Sequence, residues 1–392
     1  MSSYRNYFGC LIESITKICR PRSGFTTRIS AMIYASILLA LFAPASLGSN
    51  DVWATATEIP VYMLTTRDDR VQAEGVDREL GYNDKYPLGD INRLIEDCPE
   101  EIAIFVHGWQ NDENKAKERL DRVKMSLEFR NYSIPLIGLS WDSDKDWDPA
   151  KSKAKEDGLK LARFISEYKD TCMRDLNKDV AIRLLGHSLG SRVILSALQG
   201  LHEDPSWNND TNNFKVASVH LMGAAVDYWE VSKDSMGPGN DPIKFAYGNA
   251  IEAEVTRFYN LFDPKDNILE FVYPSFEENR ALGEKGREPG IDKVLTPPYY
   301  DIDVQNKIES IADADRIPDQ HFLVCPFSLD FCEITINDYD VGLCIGYTTW
   351  YTCGVTRGDN HGGYVGFRSD DNPNSLVSDG SMKVVVDSWK HT

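Results

Sequence analysis

Val180-Ala181-Ile182-Arg183-Leu184-Leu185-Gly186-His187-Ser188-Leu189-Gly190-Ser191-Arg192-Val193 is the stretch on which the reading of this chain turns. The run Val180 to Leu185 is short, apolar and rich in branched residues, as expected of a strand buried on both faces of a sheet. Val193, Ala197 and Leu201 then recur at helical spacing. Between strand and helix lies Gly-x-Ser-x-Gly, from Gly186 to Gly190. Such a pattern arises by chance in roughly one chain of this length in eight, so its setting carries the weight. Glycines on both sides allow a turn sharp enough to hold Ser188 in a strained conformation with its hydroxyl projecting from the sheet edge. Ser188 is therefore the candidate nucleophile, the alternative being an ordinary serine in a tight turn.

Working outward, further apolar runs mark strands at Ile59 to Leu64, Ile102 to Val106, Ile134 to Leu139, Val216 to Met222 and Val255 to Leu261. Helical spacing lies between them. Ala116, Leu120, Val123 and Leu127 share one helix face, and Leu159, Ala162 and Ile165 are read as sharing another. Strands alternating with helices predict an α/β fold with a mostly parallel central sheet flanked by helices. No repeat or linker interrupts residues 55 to 270, so one domain is expected over 46–392. Its stretch 274–358 is irregular and reads as an insertion before the last histidines.

A serine nucleophile needs donors for the charge that develops on the attacked carbonyl oxygen. The amide of Leu189, next to the nucleophile, is one candidate. Strand Ile102 to Val106 runs into His107-Gly108-Trp109, and the Trp109 amide is the second. The alternative makes His107 a core residue and Gly108 a simple turn. An acid and a base should follow in chain order. Asp263 and Asp266 both follow the strand ending at Leu261. Asp266 is preferred, because Pro264 opens a turn after Asp263, leaving that residue as an Asx-turn former. His361, in Gly358-Asp359-Asn360-His361-Gly362-Gly363, is preferred as base over His321, which leads into an apolar run, and over the penultimate His391. The expected triad is Ser188, His361 and Asp266.

The net charge is −19, and residues 46–392 hold 37 basic against 60 acidic side chains, a net −23. A field of that sign repels phosphate backbones, so no nucleic-acid partner is expected. Arg5, Lys17, Arg20, Arg22 and Arg28 precede an apolar run from Ala31 to Ala43, followed by small residues. Residues 1–45 thus read as a signal peptide, with a retained anchor as the alternative, and the protein is expected to be secreted or cell-surface. Export suits the six cysteines beyond that leader. Cys98 and Cys172 each lie a few residues before neighbouring strands, so a bridge there could staple the opposite edge of the sheet, with buried free thiols as the alternative. Cys325, Cys332, Cys344 and Cys353 would staple the insertion with two local bridges.

The Ile102 to Trp109 segment, Gly138-Leu139-Ser140-Trp141, the Gly186 to Gly190 elbow and His361-Gly362-Gly363-Tyr364 together resemble the α/β-hydrolase superfamily, and within it a poorly characterised prokaryotic serine-hydrolase-like group. The resemblance covers about residues 57 to 272 and 358 to 390. It implies an eight-stranded, mostly parallel sheet with the triad at its carboxyl edge, and hydrolysis of carboxylic esters. The chain departs from it in the 95 positions between Asp266 and His361, a gap that relatives usually keep shorter.

Tyr273, Phe276, Tyr299, Tyr300, Phe322, Phe327, Phe331, Tyr347, Trp350 and Tyr351 supply aromatic rings in the insertion, either as a lipid-facing lid or as a satellite core. Asp142 to Asp148 begins like a calcium loop, but Trp147 stands where glycine is needed and Lys153 where a bidentate glutamate belongs, so no metal is expected. No cofactor is expected either. The sequence thus predicts a secreted serine hydrolase acting on a small-molecule or lipid ester, with membrane contact only through the leader or a lid. Alternatives are a peptidase or acyltransferase on the same triad, or a non-catalytic binding protein of that fold. The sequence sets no oligomeric state.

Overall fold

The computed structural model describes residues 59–67, 90–207, 213–233, 246–287 except 267 and 278, 299–305, and 361–390 except 370, 371 and 379. Short strands between 322 and 378 are described in their backbone alone. The expected leader and His321 lie outside the described residues, as do Cys332 and Cys344.

Seven strands form one sheet: β1 (Val61–Thr65), β2 (Glu101–Val106), β3 (Leu136–Ser140), β4 (Ala181–His187), β5 (Ser218–Met222), β6 (Phe258–Phe262) and β7 (Tyr299–Asp303). Their order is β1-β3-β2-β4-β5-β6-β7, and every neighbouring pair is parallel. The six anticipated strands are all present. The resemblance implied eight mostly parallel strands, whereas the sheet has seven among the described residues. Its edge strand β7 comes from within the stretch read as an insertion. Tyr299 has little periodicity around it to announce a strand, yet its ring stacks on Phe258 at 5.2 Å and is buried.

Helices cover both faces, as a parallel sheet requires. On one side pack α1 (Ile91–Asp97), α3 (Trp147–Leu176), α4 (Gly190–Glu203) and α5 (Gly248–Glu254). On the other lie α2 (Glu113–Phe129) and α6 (Met382–Lys390). Strand alternation feeds both layers: Ile102, Ile104 and Val106 face the first, Ala103 and Phe105 the second. Asp112 caps α2 by accepting the Lys115 amide at 2.8 Å, and Ala116, Leu120, Val123 and Leu127 are buried as the spacing predicts. One expectation fails on α3, where Leu159 is 43% exposed. The buried stripe instead runs through Leu161, Phe164, Ile165, Tyr168 and Cys172, one face of this 30-residue helix at i, i+3, i+4, i+7 and i+11, and Leu159 falls on the opposite side. Among the described residues no helix is long and apolar enough to cross a membrane.

Cys98, the left-handed cap of α1, is bonded to Cys172 near the end of α3. Both are buried and lie 74 positions apart. A cross-link of that span removes much of the unfolded chain's freedom, worth about 2–4 kcal/mol. Chemical denaturation of Cys98→Ala/Cys172→Ala should show a loss of this size, and an unshifted midpoint would contradict it.

His220 on β5 is buried, stacks on Tyr259 at 4.6 Å and lies 2.8 Å from the Ser388 hydroxyl of α6. Burial lowers its pKa from 6.5 to about 3. Because the folded value lies below the unfolded one, the unfolded chain takes up the proton first as pH falls. The contribution is complete above the unfolded pKa and is lost between 6.5 and about 3. At about pH 5.5 that amounts to about 1–2 kcal/mol. His220→Gln should therefore lose less Tm than the parent between about pH 7.5 and 5.5, and equal losses would contradict the assignment.

Candidate active site

Parallel register brings the chemistry to one edge. Val106 pairs with Gly186, His187 with Met222, and Met222 with Leu261, so four strands end together. The loops that follow carry Gly108 and Trp109, Ser188, Gly223, and Asp263 with Asp266. This is the carboxyl edge, where open α/β sheets gather their ligand chemistry.

Ser188 has φ of 54°, the left-handed region that a residue with a Cβ rarely adopts. The turn has no room to relax. A Cβ at Gly190 would lie 2.5 Å from the carbonyl oxygens of Val106 and His107, and one at Gly186 would lie 2.8 Å from Ile194 Cδ1. The Ser188 amide donates to the Met222 carbonyl at 3.0 Å, and its carbonyl accepts the Ser191 and Ala225 amides at 3.0 and 3.2 Å. Within α4, Arg192 forms a buried two-pronged pair with Glu230 at 2.9 and 2.7 Å, tying the elbow helix to the loop after β5.

Asp266 and His361 are brought together: His361 Nδ1 lies 2.7 Å from Asp266 Oδ2. Asp266 is fully buried, and its other oxygen accepts the Leu269 amide at 3.0 Å. Asp263 is also buried, but its Oδ1 accepts the amide of Lys265 at 2.9 Å, the Asx-turn bond. His361 opens a short 3-10 turn, Gly362–Val365, anchored by buried Tyr364 and Val365. The Ser381 hydroxyl and amide bind the Tyr364 carbonyl, and the Ser126 hydroxyl binds that of Val365. Gly223, with φ of 56°, leaves the space that the Tyr364 ring fills, since a Cβ there would lie 2.7 Å from it.

His187, the residue before the nucleophile, is a participant the sequence reading missed. Its Nε2 donates to the His361 carbonyl at 2.6 Å, and the two rings are 4.9 Å apart. Burial, with the neighbouring His361 adding to it, holds its pKa well below the ordinary value, so the ring is neutral. The partner lies 174 positions away, and no local signal announces such a contact.

Trp109 lies in the loop after β2, and Leu189 directly follows the elbow serine. Neither amide donates to an acceptor among the described residues. His107 is core-buried, as its alternative reading had it, yet it also binds the Gly108 carbonyl. Trp109 packs edge-on against Trp147 and Phe276, at 5.1 and 5.6 Å. Tyr273 and Tyr299 are buried in the core, while Tyr300 is 43% exposed. In the acidic loop, Asp142 pairs with Lys145 at 2.8 Å and faces Arg67.

The parallel sheet, its covering helices and the serine elbow after β4 are those of the α/β-hydrolase fold. The family whose profile matches residues 89–273 is described as "Alpha/beta hydrolase of unknown function (DUF900)". Comparison with curated proteins found no match. Among solved structures, phospholipase PlaB from Legionella pneumophila in complex with thio-NAD is 14% identical, with a TM-score of 0.25. That match covers 43% of this chain and 38% of the phospholipase, so the chain spans about two-fifths of its length. A Trichoderma reesei cutinase in complex with a phosphonate inhibitor is 14% identical over 42% of this chain and 68% of its own, TM-score 0.22. An esterase from Pyrobaculum calidifontis is 9% identical over 52% and 66%, TM-score 0.25.

Proposed function

We propose that this protein is a secreted serine hydrolase that cleaves carboxylic esters through Ser188, His361 and Asp266 by way of an acyl-enzyme. What carries the reading is the buried Asp266–His361 pair at the sheet edge where a strained serine follows β4. Strain at such a position is retained where function requires it. His361 Nε2 accepts the Ser188 proton as Oγ attacks the ester carbonyl, and Asp266 holds the imidazole and stabilises its charged form. The Trp109 and Leu189 amides receive the negative charge of the tetrahedral intermediate. Collapse breaks the bond to the alcohol, which leaves with the proton from His361. Water then attacks the acyl-enzyme, gives a proton to His361, and releases the acid with Ser188 restored. The substrate is a small-molecule or lipid ester met outside the cytoplasm, and no cofactor enters the scheme.

The test is to treat the protein from about residue 46 with a fluorophosphonate probe and to screen p-nitrophenyl esters beside amide substrates. Stoichiometric labelling with ester turnover is expected. A folded protein that neither labels nor turns over ester would overturn the reading, and preferential amide cleavage would make it a peptidase.

A further inference from the structure

The loop after β2 is held in a manner that its turn geometry alone does not require. Asn111 directs its side chain back along the loop, and its amide nitrogen donates to two carbonyls: that of Gly108 at 3.1 Å and that of Trp109 at 2.7 Å. The Gly108 carbonyl receives a second donor, His107 Nδ1, at 2.9 Å. His107 is fixed in turn, because its Nε2 accepts the Trp141 amide at 3.2 Å and the Trp141 indole donates to its carbonyl at 2.8 Å. Those contacts set one tautomer, with the proton on Nδ1. Asn111 is itself gripped from three sides: its amide donates to the Ser143 hydroxyl at 3.0 Å, and its carbonyl accepts from Ser143 Oγ at 3.0 Å and from Arg67 Nη2 at 2.9 Å. All three of His107, Asn111 and Ser143 are buried. Between them Gln110 turns the chain with φ of 55°.

The Gly108 carbonyl and the Trp109 N–H belong to one peptide plane and point in opposite directions in a trans peptide. Two donors on that oxygen therefore fix the direction of that N–H. The same peptide lies against the nucleophile: a Cβ on Gly108 would stand 2.7 Å from Ser188 Cβ and 3.2 Å from its Oγ. A preorganised donor avoids the reorganisation that would otherwise accompany charge development, which is where most of its catalytic value lies.

We propose that Asn111 and His107 are positioning residues that clamp the Gly108 carbonyl and thereby preset the Trp109 amide as an oxyanion donor. The inference rests on the serine-hydrolase reading above. Asn111→Asp keeps the shape of the side chain but removes both donated hydrogens and sets a carboxylate against two carbonyl oxygens. Asn111→Ala removes the donors without adding charge. With the parent active on a p-nitrophenyl ester, both variants should lose about 10²- to 10³-fold in kcat, the effect of losing one oxyanion donor, with KM changed less than about threefold. Affinity for a trifluoromethyl ketone, whose hemiketal oxyanion occupies the same position, should fall in parallel with kcat/KM. In the alanine variant, which adds no charge beside the site, the acid limb of the pH profile should stay where the parent has it. Circular dichroism and Tm establish folding of each variant, and the alanine variant decides if the aspartate one misfolds. A folded variant retaining kcat within about threefold would overturn the clamp, as would a kcat loss with unchanged trifluoromethyl ketone affinity or, in the alanine variant, a shifted acid limb. A parent that hydrolyses no ester and takes no fluorophosphonate label would instead overturn the serine-hydrolase reading, and the clamp with it.

Discussion

Replacing Ser188 with alanine is expected to lower kcat by about 10⁴- to 10⁶-fold while leaving Tm essentially unchanged, because a triad nucleophile acts as part of a unit whose loss removes nearly all chemistry beyond binding and oxyanion stabilisation. The stability half of this expectation comes from the backbone. Ser188 holds φ of 54° whatever its side chain does, since the flanking glycines are packed against Val106, His107 and Ile194. Alanine keeps the Cβ and therefore keeps the strain. Glycine does not: Ser188→Gly should be equally inactive yet more stable by about 1 kcal/mol, the scale of left-handed strain in a residue with a Cβ. Steady-state kinetics on an ester and thermal unfolding of the three proteins read both effects. A glycine variant no more stable than the alanine variant would mean that the turn stores no strain at this residue. Appreciable turnover by either would remove Ser188 as nucleophile.

What the sequence could reveal follows from which contacts are local. The elbow was legible because strand, turn and helix are contiguous, and the glycines on either side of Ser188 report directly on backbone packing. The Cys98–Cys172 bridge was legible because each cysteine sits beside a recognisable strand start. Strand β7 was obscured because Tyr299–Asp303 mixes aromatic and acidic residues at an edge, where one side of the strand needs no partner. Leu159 was misplaced because three apolar positions fit a helical period without fixing which stripe meets the core. The hydrogen bond from His187 to the His361 carbonyl is set by tertiary packing, and the sequence holds no trace of it. Asn111 is an intermediate case. An asparagine three residues after a glycine is a familiar local hydrogen bonder, but its two acceptors become meaningful only once Gly108 is seen against Ser188.

Asp266→Asn is expected to lower kcat by about 10⁴-fold, whereas Asp263→Asn should leave it within about threefold, and the contrast follows from which proton each oxygen meets. Asp266 Oδ1 accepts the Leu269 amide, and Oδ2 faces His361 Nδ1 at 2.7 Å. In the asparagine variant the single carbonyl oxygen is claimed by the Leu269 N–H, which can only donate. The side-chain NH₂ then points at His361 Nδ1 and, being a donor, requires that nitrogen to accept. The imidazole proton moves to Nε2, the atom that must take the proton from Ser188, and the base is lost although the geometry is kept. Asp263 meets a different proton. Its Oδ1 accepts the Lys265 amide in a turn that an asparagine oxygen closes equally well. Comparing kcat and the rate of fluorophosphonate labelling in the two variants separates the carboxylates. Equal losses in both would make the pair a shared unit, and a larger loss in Asp263→Asn would transfer the orienting role to Asp263.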